Sequence, residues 1–385
     1  MSPPSKALSL LITLATVTMS TSPRARAQSS VPNIVRGAYY PSWTYESVNP
    51  SQIDFSQSHF THLFYAFVNP DPTTFNLVVT SDDKPIISDP VSAAHNQSPP
   101  VMVLLSIGGG GAGGVAAVFS NMSGAEDTRS RFIQSTIEVA RDNDVDGLDL
   151  DWESPKDAEE MVNLGLLFEE WRAAIDSESA ASGQSPLLLT AAVYFSNRFF
   201  VPGDVPSRSY PSSSIAKNLD WINAMCYDYH GSWDTSATGE HAALYDATSN
   251  ISTSYGLTSW KSSGVPSQKV VMGLPAYGRS WELKDAAEHG IGAPAVGVGP
   301  GDDGAMTYTE IEGLEGWTEV YDSGTGSAYA YKGTEWVGYD DSRSVAQKVR
   351  YAEAEGLGGY FFWTIGQDLN WTLSRQGMAL RVFTI

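Results

Sequence analysis

Eight short apolar runs recur along the chain, at residues 34–40, 62–68, 101–107, 145–152, 187–194, 221–227, 269–274 and 358–363. Their hydrophobicity is continuous rather than alternating, as expected for strands buried on both faces, and such strands belong to parallel sheets. Helical spacing fills several of the gaps. Phe132, Ile133, Ile137 and Ala140 fall on one helix face, and Met161, Leu164, Phe168, Trp171 and Ile175 on another. A further helix is predicted from about Ser342, with Val345, Val349 and Ala352 inward and Gly356 at its end, where a residue free to take positive φ commonly stops a helix. Eight strand–helix units predict an α/β chain closed into a (β/α)8 TIM barrel rather than an open doubly wound sheet. The glycines between Gly108 and Gly114 lack the context of a dinucleotide fingerprint.

Between the seventh run, ending near Tyr277, and the last helix lie about 60 residues, too many for a barrel loop. Strand-like pieces at residues 306–308, 316–321, 328–331 and 335–339, with Gly-rich turns between them, predict a small α+β insertion that forms one wall of a cleft. The division expected is a signal peptide at residues 1–27, the barrel at 28–279 and 337–385, and the insertion at 280–336. No internal repeat, low-complexity tail or linker to a separate module is visible.

The signal assignment rests on Lys6, an apolar stretch from Ala7 to about Met19, and the small-residue site Ala25-Arg26-Ala27. Secretion is therefore expected, to the extracellular space or a vacuole. Cleavage removes three basic residues and no acidic one, which deepens a formal charge of −21. Such a surface repels nucleic acid and anionic lipid, so neither a nucleic-acid nor a membrane partner is expected. No later apolar run reaches the roughly 18 residues of a membrane span. With Cys226 as the single cysteine no internal disulfide can form, and the large core must carry stability. Cys226 itself reads as a buried core residue facing away from Tyr227. Sequons at Asn96, Asn121, Asn250 and Asn370 are possible glycan sites, with Asn96 weakened by Pro99.

The chemistry concentrates in Asp146-Gly147-Leu148-Asp149-Leu150-Asp151-Trp152-Glu153. Side chains alternate in a strand, so Asp149, Asp151 and Glu153 share one face at about 6.6 Å intervals, while Leu148, Leu150 and Trp152 take the other. Desolvation and like-charge repulsion oppose ionising all three, which keeps a proton among them near neutrality. An acidic patch on a solvated edge strand is the plain alternative, and the apolar neighbours argue against it. A hard-cation site is the other, without the His ligands of zinc or the spacing of a calcium loop. Glu153 lies last, at the C-terminal end where barrel enzymes place their chemistry.

This octad resembles the D-x-x-D-x-D-x-E signature of glycoside hydrolase family 18. Ser106-Ile107-Gly108-Gly109 is similar to that family's S-x-G-G motif, and Met225-Cys226-Tyr227-Asp228-Tyr229 to its M-x-Y-D-Y motif. The likeness runs on through Gly37-Ala38-Tyr39-Tyr40, Gly273-Leu274-Pro275-Ala276-Tyr277-Gly278-Arg279 and Phe362-Trp363, and within the family it is nearest to plant class V chitinases.

The resemblance implies an endo-acting chitinase that needs no metal or cofactor, with chitin and chitooligosaccharides as partners and a monomeric state. It implies Glu153 as acid and then base, Asp151 against the substrate acetamide, Asp149 behind it, and Tyr227 on the acetamide carbonyl. Asp228 would support the same sugar, and Trp363 would form the floor under it. Tyr40, Tyr277 and Arg279 are expected to line the cleft. Position alone also allows Tyr227 and Asp228 as a packed tyrosine and a helix cap, and Trp363 as core. A sugar-binding lectin on the same barrel and an enzyme preferring transglycosylation are the rival readings, and the presence of Glu153 disfavours the first.

Overall fold

The computed structural model describes residues 34–110, 115–153, 155–199 and 208–378. The segment expected to be a signal peptide lies outside them. The strands in chain order are β1 Val35–Pro41, β2 His62–Val68, β3 Met102–Gly108, β4 Gly147–Asp151, β5 Leu188–Tyr194, β6 Trp221–Met225, β7 Val270–Pro275, β8 Tyr277–Leu283, β9 Ala295–Val298, β10 Ala305–Thr307, β11 Thr318–Asp322, β12 Ser327–Lys332, β13 Glu335–Tyr339 and β14 Gly359–Trp363. β1 to β7 and β14 close an all-parallel barrel, with β14 between β7 and β1. All eight predicted barrel strands are present.

Alternation along each strand sorts side chains into two cores. Tyr39, Phe64, Leu104, Leu188, Trp221, Val271 and Phe361 fill the lumen. Their neighbours, such as Leu63, Leu105, Leu148, Leu150, Val193 and Ile222, face the surrounding helices. The predicted helices span Glu126–Asp142, Ala158–Ser182 and Ser342–Ala354. Gly356 follows the last with φ +62°, the left-handed conformation that ends it. Cys226 is 1% exposed and packs in the outer core, where burial pushes its thiol up to about 12.

The insertion is a six-stranded sheet in the order β10–β8–β13–β12–β11, with β9 pairing β8 at Trp281–Leu283 on the same edge as β10. It starts earlier and ends later than residues 280–336. Ala276 donates to the Trp363 carbonyl at 2.8 Å, which ends β7 against β14, and Tyr277 opens β8 directly. Tyr277 and Arg279 therefore belong to the insertion sheet rather than to the barrel. At the far end β13 runs to Tyr339. Trp281, Leu283, Tyr329 and Trp336 give this sheet its own apolar core.

Candidate active site

The lumen positions of β1, β3, β4, β5 and β6 place polar groups around one carboxylate. Asp149 is fully buried. The Tyr39 and Ser106 hydroxyls each donate to its Oδ2 at 2.8 Å, and the Thr190 hydroxyl donates to Oδ1 at 2.6 Å. Asn223 Nδ2 adds a longer contact to Oδ1 at 3.4 Å and donates to Tyr39 Oη at 3.1 Å. Burial pushes the Asp149 carboxyl up, while these donors pull in the opposite direction. Four donors around an acceptor-only group stabilise the ionised form.

Asp151 has no such support. It is 3% exposed, and its Oδ1 has no hydrogen-bond partner within the protein. Burial, then the charge of Glu153, then that of Asp149 hold its carboxyl well above the usual carboxylate range. Glu153 stands two residues on, half-buried beyond the end of β4. Burial raises its pKa and the charge of Asp228 raises it further, against a hydrogen bond from the Gly110 N–H. The row thus runs from a satisfied carboxylate to two carboxyls at the mouth whose proton affinity is raised.

Tyr227 and Asp228 follow the end of β6. Burial and then the charges of Asp151, Asp228 and Glu153 raise the Tyr227 hydroxyl well above its usual value, so it is a donor at any working pH. Asp228 takes φ +57°, a left-handed conformation that short polar side chains tolerate. The Nε and Nη2 atoms of Arg279 both reach Asp228 Oδ1 at 2.8 Å. Burial pushes Asp228 up, but His241 and Arg279 outweigh it and leave the carboxyl below its ordinary value. Tyr277 packs edge-on to Tyr227 at 6.2 Å. Trp363, the last residue of β14, lies 5.4 Å from Tyr39 and stacks on Phe67 at 5.9 Å.

Tyr40 is the exception among the expected cleft residues. It is fully buried on the outer face of β1, and its hydroxyl donates to the Val48 carbonyl at 2.8 Å. Its neighbour Tyr39 occupies the lumen instead. Alternation decides this, since the two residues must face opposite sides of one strand. Sequence reasoning also left out Thr190, Asn223 and His241. A polar residue inside an apolar run such as 187–194 or 221–227 was the available signal for the first two.

A family model described as Glycosyl hydrolases family 18 matches residues 35–368. The chain belongs to glycoside hydrolase family 18. This family 18 protein is 48% identical to a class V chitinase of Lotus japonicus over 89% of its length and 85% of that relative's. It superposes with a TM-score of 0.84 on a crystal structure of a family 18 chitinase from Cycas revoluta in complex with (GlcNAc)3, at 43% identity over 89% of this chain and 98% of that one. A chitinase-like agglutinin from Robinia pseudoacacia is also similar, at 41% identity and a TM-score of 0.81, over 89% of this chain and 98% of that one.

Proposed function

We propose that the protein hydrolyses β-1,4-linked N-acetylglucosamine chains in an endo-acting manner, with retention and with the substrate's own amide as nucleophile. The observation that carries this reading is the unequal treatment of three carboxyls in one row. Asp149 is satisfied, Asp151 has a free oxygen, and Glu153 is raised towards the protonated form at the cleft. Glu153 gives its proton to the glycosidic oxygen as that bond breaks, while the 2-acetamido carbonyl closes on the anomeric carbon to form an oxazolinium ion. Water then adds at that carbon and loses a proton to Glu153, and the ring opens.

Asp151 accepts the acetamide N–H and stabilises the positive charge of the ion, and Asp149 keeps negative charge fixed behind it. The Tyr227 hydroxyl donates to the acetamide carbonyl and sets the line of attack. Trp363 supplies an aromatic face for the sugar ring. The likeness to a chitinase-like agglutinin supports a lectin as the second reading, and the intact row from Asp149 to Glu153 favours the enzyme. On the basis of residues 1–27 we place the mature protein in the secretory pathway.

The deciding experiment is product analysis on a chitin hexasaccharide with wild type and Glu153→Gln. Loss of the general acid is expected to lower kcat by at least about 100-fold. Undiminished turnover by the variant would remove Glu153 from the mechanism. Products longer than the hexasaccharide identify sugar as an acceptor in place of water.

A further inference from the structure

The loop after β6 holds a buried histidine that the reaction above leaves without a task. His241 is 1% exposed, and neither ring nitrogen closes a hydrogen bond with a protein atom. Burying a polar group unbonded carries a desolvation cost, which an apolar residue in the same place would avoid. The ring is nevertheless well fixed. It packs on Tyr277 with centroids 5.0 Å apart, and the His241 carbonyl accepts from the Tyr229 N–H at 3.0 Å.

The imidazole faces the cleft carboxylate. His241 Nδ1 stands 3.8 Å from Asp228 Oδ1, the same oxygen that Arg279 grips from its other side. That distance is beyond a hydrogen bond and within a small side-chain adjustment of one. Hydrogen bonds of catalytic groups are commonly long without substrate and tighten when it binds.

We propose that His241 is a positioning residue of the hydrolytic site, donating from Nδ1 to Asp228 when a sugar fills the cleft and holding that carboxylate ionised beside Glu153. The proposal rests on the hydrolytic reading and deepens it. The other charged groups near this loop are engaged elsewhere. Glu240 accepts from the Thr325 hydroxyl at 2.7 Å, and Lys348 is paired with Asp340 at 2.5 Å. Asp228 and Tyr277 face the imidazole directly, with Arg279 behind Asp228.

The sign of the effect follows from the neighbours. His241 and Arg279 hold Asp228 below its ordinary value against burial. Loss of the imidazole raises Asp228 in the sugar-bound enzyme, so its ionised form is lost at a higher pH and the acid limb of kcat moves up. The basic limb records proton loss from Glu153, where Asp228 is ionised in either protein, and it stays in place.

The test is the pH profile of kcat, which reports the sugar-bound enzyme, on saturating chitin hexasaccharide for wild type, His241→Phe and His241→Gln. His241→Phe keeps a ring against Tyr277, and His241→Gln restores an N–H donor. The expected result is an acid limb about one pH unit higher in His241→Phe, returned towards wild type in His241→Gln, with a common basic limb. Superimposable profiles, or an equal fall at every pH, would overturn the proposal. A second measurement does not depend on how the His241 variants fold. Titration of Glu153→Gln with chitin tetrasaccharide is expected to move the His241 ring-nitrogen resonance, and an unmoved resonance at saturation equally defeats the idea. Absence of wild-type turnover refutes the hydrolytic reading itself, before His241 is touched.

Discussion

A Cβ built on Gly110 would lie 2.5 Å from Glu153 Oε2 and 2.7 Å from Oε1. The backbone N–H of the same glycine bonds that carboxyl. The residue therefore both fixes the acid and leaves no room for a side chain beside it. Gly110→Ala meets the free end of a side chain rather than backbone, so the chain can fold around it by displacing Glu153. Its kcat/KM is expected to fall by about 10- to 100-fold with the melting temperature almost unchanged. A variant that melts early, or one that works normally, contradicts this account of Gly110. The spacing of Asp149, Asp151 and Glu153 made the acidic row visible in the sequence. Which of Tyr39 and Tyr40 joins it was not visible, because both faces of β1 are buried and both parities read as apolar.

At the level of elements, a fully buried ion pair helps tie the insertion to the barrel. Asp340, just after β13, is 1% exposed, and Lys348 in the helix Ser342–Ala354 is likewise 1% exposed. The Lys348 ammonium meets both carboxylate oxygens, at 2.7 and 2.5 Å, and also the Ala242 carbonyl of the loop that carries His241. Lys348→Met leaves a carboxylate buried without its partner, and a loss of about 3–5 kcal/mol is expected from denaturant unfolding. Lys348→Met/Asp340→Leu removes both charges and should recover much of that loss. A single variant as stable as wild type sinks the assignment. The last apolar run and the helix before it were plain in the sequence. β8 was not, because Tyr277–Leu283 continues almost without break from β7 and its turn is made by a contact with Trp363, far away in the chain.

Over the whole molecule, burial sets the direction in which stability follows pH. Burial raises Asp149, Asp151, Glu153 and Glu240, the last to about 7 from an ordinary 4.5. Between those two values the folded chain holds more protons than the unfolded one, so stability falls as pH rises through that window. Asp54, Asp71, Glu178, Asp228 and Asp246 are shifted the other way, and their effect lies below the ordinary carboxylate range. The net charge of −21 at neutral pH acts in the same sense as the raised groups, since protonation relieves self-repulsion. The melting temperature should be higher near pH 5 than near pH 8. Glu240→Gln keeps an acceptor for the Thr325 hydroxyl and removes the titration. It is expected to stabilise the protein by about 2–3 kcal/mol above pH 7 and by less than about 1 kcal/mol near pH 5. A flat profile in wild type, or an equal gain at both ends, contradicts this.

The order of strands and helices, the closure into a barrel and the carboxyl row were fixed by local patterns of two kinds, apolar runs and period-two alternation. Those patterns are readable because each depends on residues close together in the chain. The tertiary structure alone decided which face of β1 looks inward, where the insertion departs from β7, and that His241 stands against Asp228. Each of these is settled by a contact between residues distant in sequence, as when Trp363 ends β7 or Asp149 takes the Tyr39 hydroxyl across the lumen. No local pattern encodes such a contact, because its energy exists only once the barrel has closed.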